Sequence, residues 1–197
     1  MANCMDITGR AMQPENRIAS CAPKEQSSKY PLKEDIRAQI IKTLETYYPD
    51  FDDTDIEAIV DIACIESNFN PWADNPTSSA LGLYQFLDPL ARAYFPKIGG
   101  NPNSCKDRCN VELATRAMAE FYKKELLTYW NSYVSSGKTS IIGKKIKKNA
   151  HTARYASLTK FQWIYGLIHH DGVGNAINGI DKGGINYVLS KEEQVGE

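Results

Sequence analysis

No run of about 18 apolar residues occurs in this 197-residue chain, so no helix is predicted to cross a membrane. Charge of one sign is also lacking: 23 Lys and Arg stand against 24 Asp and Glu, a net charge of −1. A dedicated nucleic-acid binder draws its affinity from a basic surface, which this balance argues against. Five cysteines are too few for a disulfide scaffold and too scattered for a four-ligand zinc site. No basic segment followed by an apolar one opens the chain, so no secretory signal is expected in the sequence as it stands. Strand signals are weak throughout and no internal repeat is visible. What is present, 42% hydrophobic and 24% charged residues, suffices for one soluble core and excludes a disordered chain.

Residues 1–30 are polar and turn-rich, with Pro14, Pro23, Ser27 and Ser28, and read as an N-terminal arm. The rest, 31–197, reads as one mostly α domain. Ile36, Ile40, Ile41, Leu44, Tyr47 and Tyr48 fall at helical spacing, and Pro49 closes that helix. Thr54-Asp55-Ile56-Glu57 has the form of a capping box for a second helix, near the acidic residues Asp50, Asp52, Asp53 and Asp55. Residues 68–109 should be mostly loop, with Asp88 as N-cap and Pro89 opening a short helix to about Phe95. Asn110 should cap a long helix through Phe121, Tyr122, Leu126, Tyr129, Trp130 and Tyr133, ending at Gly137. Another helix is predicted from Ser157 through Phe161, Ile164, Tyr165 and Ile168, interrupted by Gly172 and Gly174. A last one should cover about Ile185 to Lys191.

The second helix carries the informative residue. Ile56, Ala58, Ile59, Val60, Ile62, Ala63, Cys64 and Ile65 leave a narrow polar stripe of Thr54, Glu57 and Asp61, as befits a helix in mid-core. Glu66 lies four residues after Ile62 and seven after Ile59, extending that apolar face. A carboxylate there is either paired or kept neutral with a raised pKa. A carboxylic acid able to donate a proton near neutral pH is what glycoside cleavage requires. Burial pattern alone leaves a second reading open, a Glu at a helix end reaching solvent or capping a neighbour.

Downstream, Glu66-Ser67-Asn68-Phe69-Asn70-Pro71 is followed by Ser79-Ala80-Leu81-Gly82-Leu83-Tyr84-Gln85-Phe86. This pair of motifs, Glu-Ser with Phe-Asn-Pro and then Gly-Leu-x-Gln-Phe after Ser-Ala, resembles the lytic transglycosylase and goose-type lysozyme superfamily. A third stretch, Tyr165-Gly166-Leu167-Ile168-His169-His170-Asp171-Gly172-Val173-Gly174, resembles the His-x-Gln-Gly-x-Gly variant of phage-tail and effector-type members, with Asp171 in place of Gln. The resemblance covers about residues 52–180. It implies a lysozyme-like α-helical domain with a loop-rich substrate cleft.

The same resemblance implies a peptidoglycan substrate and no cofactor. Glu66 would protonate the oxygen joining N-acetylmuramic acid to N-acetylglucosamine. It would then take the proton of the muramyl C6 hydroxyl, which closes on C1 as a 1,6-anhydro ring. A hydrolytic lysozyme of the inverting kind would need a second carboxylate to activate water, for which Asp74, Asp88 and Asp171 are candidates. A non-catalytic wall-binding or tail component on the same fold is the third alternative. The resemblance assigns Ser79, Gly82, Tyr84, Gln85, Tyr165, His169 and Asp171 to the substrate. Physically, Gly82 would let backbone approach a sugar, and Gln85 can both donate and accept hydrogen bonds. Tyr84 and Phe86 could face sugars or serve as core, and His169 could contact Glu66 or substrate or be structural.

Other constellations are weaker. Cys64 with His169, His170 and Asp171 has the composition of a Cys-His-Asp hydrolase, but an apolar helix face suits an inert thiol. Adjacent histidines in one loop rarely converge on a metal without a distant ligand, and His151 is the remaining histidine, so no metal site is expected. The basic run Lys138, Lys144, Lys145, Lys147, Lys148 and Arg154 reads as a solvated surface. The substrate lies outside the cytoplasm, so the expected route is a contractile injection system, a phage particle or lysis. A cognate inhibitor or a delivery component is then an expected partner. An oxidising destination would let Cys105 bridge Cys109 and Cys4 bridge Cys21, against the alternative of five reduced thiols.

Overall fold

The computed structural model describes residues 33–75, 77–128, 162–172, 175 and 182–195. It is a mostly α chain that divides into two compact units, Met1–Glu120 and Phe121–Glu197. The expected helices ending near Gly137 and beginning at Ser157, the basic run 138–154, the arm, Tyr129, Trp130, Tyr133, Phe161 and His151 lie wholly or in part outside the described residues.

In the first unit, α1 (Lys33–Tyr47) buries Ile36, Ile40 and Leu44 at the predicted spacing and packs on α2 (Asp53–Ser67). Tyr47 turns outward, its ring covered by the Arg116 guanidinium at 4.2 Å. Asp52, two residues before Thr54, caps α2. Its carboxylate accepts from the Asp55 N–H at 2.9 Å, and Asp55 Oδ2 accepts in return from the Asp52 N–H at 3.4 Å. Thr54 instead donates its hydroxyl to Asp52, because a charged acceptor at the positive helix end outcompetes a hydroxyl. α2 is apolar nearly all round, with Ala58, Ile59, Val60, Ile62, Ala63 and Ile65 buried.

α3 (Asp88–Tyr94) and a 3₁₀ turn (Phe95–Ile98) follow the loop. The expected Asp88 cap is not formed. Leu87 holds the N-cap position, Asp88 is already helical, and its carboxylate goes to Arg108. A single turn, α4 (Cys105–Arg108), is capped by the Ser104 hydroxyl on the Asp107 N–H at 3.2 Å. Asn110 caps α5 (Val111–Phe121) as its sequence position suggests, accepting from the Leu113 N–H at 2.9 Å.

In the second unit, Tyr122–Leu126 and Gln162–His170 are wound as wide π-type turns, and the two segments pack together. α6 (Gly184–Val195) lies against Gln162–His170, with Ile164, Tyr165, Ile185 and Val188 buried. The close approach needs glycine. A Cβ on Gly184 would run into the Gly166 carbonyl, His170 and Asp171. Among the described residues no helix is long and apolar enough to cross a membrane.

Candidate active site

Glu66 sits in the last turn of α2, where the helix ends in left-handed backbone. Asn68 (φ 53°) is the C-cap, its N–H turned to the Ala63 and Cys64 carbonyls, and Phe69 (φ 61°) continues the reversal. An aromatic residue at positive φ is rare and costs roughly 1–3 kcal/mol, so the surrounding structure must over-determine it. Part of that support is visible. The Ser67 hydroxyl is 2.7 Å from the Leu83 carbonyl and 3.0 Å from that of Ala63, riveting the helix end to the second motif. Glu66 is half-buried, and burial pushes its carboxyl from an ordinary 4.5 up to about 8. The group is therefore a neutral acid at pH 7, able to give up a proton.

The second motif folds as a compact loop within residues 77–88, tied back to Ala73 and Asp74. Gly82 donates its N–H to the Ala73 carbonyl at 2.8 Å, and Leu81 bridges Phe86 on one side and Asp74 on the other. Gly82 has φ 84°, and a Cβ there would collide with the backbone carbonyl of Arg108. The close approach that this glycine permits is thus to the protein's own chain. Gln85, at φ 49°, folds its amide back, with Nε2 donating to the Ala73 and Gly82 carbonyls at 3.0 and 2.9 Å. Its side-chain oxygen can accept a hydrogen bond in turn. Ser79 accepts from the Asp88 N–H at 3.0 Å. Tyr84 and Phe86 are buried at 4% exposure, and Tyr84 Oη lies 3.3 Å from the Thr115 hydroxyl, so both serve the core.

Sequence reasoning missed Arg108. It is 2% exposed, with Nη1 donating to Asp88 Oδ1 at 2.6 Å and Nη2 to the carbonyls of Ser79 (3.0 Å) and Phe86. An arginine in Cys-Lys-Asp-Arg-Cys carries no local signal of this role, because its partners lie 20 to 29 residues earlier. Leu81, Cys105 and Cys109 form a buried apolar cluster, with Trp72 packed against it. The expected Cys105–Cys109 bridge is absent. Cys105 is in a disulfide, but Cys64 and Cys109 are thiols. Burial and then Asp61 push the Cys64 thiol pKa up, the opposite of an activated nucleophile.

Tyr165, His169 and Asp171 belong to the second unit, whereas Glu66, Ser79, Gly82, Tyr84 and Gln85 belong to the first. The Tyr165 and His169 rings stack at 5.0 Å, Phe121 meets His169 edge-on at 5.4 Å, and His170 lies 4.9 Å from Tyr187. Burial, then the neighbouring His170, lowers His169 from 6.5 to about 4, so its imidazole is neutral at pH 7. Asp171 is buried and accepts from the Gly184 N–H at 3.0 Å, a carboxylate at the positive start of α6. No cluster of three His, Cys, Asp or Glu residues that could hold a metal ion occurs among the described residues.

A family model described as Transglycosylase SLT domain matches residues 51–155, just over half of the chain. The matched span holds Glu66, the Gly82–Gln85 loop and Arg108, and ends before Tyr165. Comparison with curated proteins and with solved structures returns no match.

Proposed function

Because the chain belongs to the transglycosylase SLT family, a family whose activity is of the peptidoglycan lytic type, we propose that it cleaves the β-1,4 bond between N-acetylmuramic acid and N-acetylglucosamine with Glu66 as the catalytic acid and base. The observation that carries this reading is the Glu66 carboxyl, held neutral by burial on a helix end that Ser67 fastens to the Gly82–Gln85 loop. In the first step the acid protonates the bridging oxygen as the C1–O bond breaks. The resulting carboxylate then removes the C6 hydroxyl proton while that oxygen bonds to C1. The ring closes as a 1,6-anhydro sugar, and Glu66 regains its proton. One carboxyl serves both steps.

The fate of the other acids favours this outcome over hydrolysis. An inverting hydrolase needs a second carboxylate as base for water. Asp88 is paired with Arg108, Asp171 accepts from the Gly184 N–H, and Asp74 is half-buried in the loop. Ser79, Gly82 and Gln85 would frame the sugar through the loop they build, with Tyr84 supporting it from the core. By resemblance, Tyr165, His169 and Asp171 are proposed substrate contacts as well, with the neutral His169 imidazole able to donate or accept a hydrogen bond.

The place of action is the cell wall, reached by an injection system, a phage particle or lysis, with a delivery component or a cognate inhibitor as protein partner. The disulfide at Cys105 supports an oxidising destination. Mass spectrometry of fragments released from purified sacculi tests the whole reading. Anhydro ends from wild type and none from Glu66→Gln are expected. Reducing ends lost on Asp74→Asn would establish the hydrolase instead, and binding without release would establish the non-catalytic alternative.

A further inference from the structure

The loop that carries Gln85 is closed by a side chain from outside both motifs. Arg108 reaches it at four places. Its Nη2 joins the carbonyls of Ser79 and Phe86 at the two ends, its Nη1 holds Asp88 just beyond, and its own backbone carbonyl lies against Gly82 in the middle. Within that span Leu83 offers its carbonyl to Ser67, the neighbour of Glu66. A continuous set of contacts therefore runs from the guanidinium through the loop to the end of α2.

We infer that Arg108 is a positioning residue for wall cleavage, holding the loop 79–88 closed so that Gln85 and the Ser67 rivet stay in register with Glu66. The inference rests on the function proposed above.

The physics of the side chain favours geometry over stability as its role. A fully buried cation is a poor stabilising element compared with an apolar residue of like volume, and the Nε of Arg108 has no hydrogen-bond partner. What the planar fork does well is fix several oxygens at set angles, which a single ammonium cannot copy. The loop needs such a device. Gln85 is at positive φ and donates its amide back into the loop, a strained arrangement that persists where neighbours over-determine it. The element bearing Arg108 is also externally held. α4 is one turn, too short to stand alone, and it is secured by the Ser104 cap, by Asp107 on the Asn101 N–H at 2.7 Å, and by the Cys105 disulfide.

The test compares wild type with Arg108→Lys and Asp88→Asn, using two readouts. Amide hydrogen exchange is followed at Leu81, Gly82 and Gln85, with Ile40 and Ile59 as core references. The parameters kcat and KM are measured on soluble glycan-strand fragments. The expected result is faster exchange confined to the loop, with kcat falling roughly 10²-fold, the scale of a small misplacement of reacting groups, and KM moving less. Unchanged loop exchange, or unchanged kcat in a variant whose loop has loosened, would overturn the inference. If Arg108→Lys does not fold, Asp88→Asn decides, since it keeps the guanidinium and removes the charge pairing. Exchange that rises equally in loop and core in that variant assigns Arg108 to general stability and overturns it. Wild type that cleaves nothing fails the functional reading by itself, and the exchange comparison still reports whether Arg108 closes the loop.

Discussion

The Glu66 loop and the Tyr165–Asp171 segment use their polar groups in opposite ways. Around Glu66, polar side chains are spent on backbone: Ser67, Ser79, Gln85 and Arg108 all bind carbonyls or N–H groups of the loop. Burial there keeps an acid protonated. In the second unit, rings stack on rings along Gln162–His170, and burial there keeps an imidazole unprotonated. One cause, loss of water, raises the carboxyl and lowers the imidazole because each is driven to its neutral form. A motif residue can thus matter by shaping its neighbours as much as by meeting substrate.

The sharpest way to break this contrast is at Glu66 itself. Glu66→Gln keeps the shape and cannot transfer a proton, so wall cleavage should fall by at least ~10²–10⁴-fold while the protein stays folded. Turbidity loss of purified walls measures it. Activity retained near wild type would remove Glu66 from the chemistry. A second test acts on the anchor of α4. Cys105→Ser, or reduction with dithiothreitol, should cost about 2–5 kcal/mol and lower the thermal midpoint, whereas reductant should leave the Cys105→Ser variant unchanged. Smaller again is Gly82→Ala. Positive φ alone should cost ~1–3 kcal/mol, and the collision with the Arg108 carbonyl adds to that, read as a drop in the urea midpoint.

The last test separates the two regions by sign. Glu66 holds its proton in the folded state up to about pH 8 but loses it near 4.5 when unfolded. Its contribution to stability is therefore full below about 4.5 and is lost as pH rises towards 8. His169 behaves inversely. Its folded value of about 4 lies below 6.5, so its contribution is present above 6.5 and is lost as pH falls towards 4. Urea midpoints across this range should lose their alkaline decline in Glu66→Gln and part of their acid decline in His169→Gln. If both variants altered the same limb, burial would not be the shared cause.

Several of these features were legible in the residues. The 3.6-residue spacing of α1 and the nearly continuous apolar run of α2 mark buried helices wherever the rest of the chain goes. Asn110 caps its helix because a cap requires only the next three residues, and α6 begins one residue before its predicted start. Glu66 was visible as a carboxyl continuing an apolar face. The choice of Asp52 over Thr54 was not, since several acidic neighbours compete and the winner depends on how the chain enters the helix.

The sequence alone therefore determined a helical chain, a protonatable carboxyl at the end of its most apolar helix, and the two motifs that place the chain in its family. The first two follow from periodicity and from contacts within about four residues, whereas the motifs are read by their resemblance to the family. The tertiary structure alone decided that Asp88 leaves its helix cap for Arg108, that Gln85 turns its amide inward, that Tyr84 is core and that Cys105 does not pair with Cys109. Each of those outcomes depends on groups meeting across many residues. Burial then sets the strength of the meeting, because a polar group removed from water must take whatever partner the fold brings within reach.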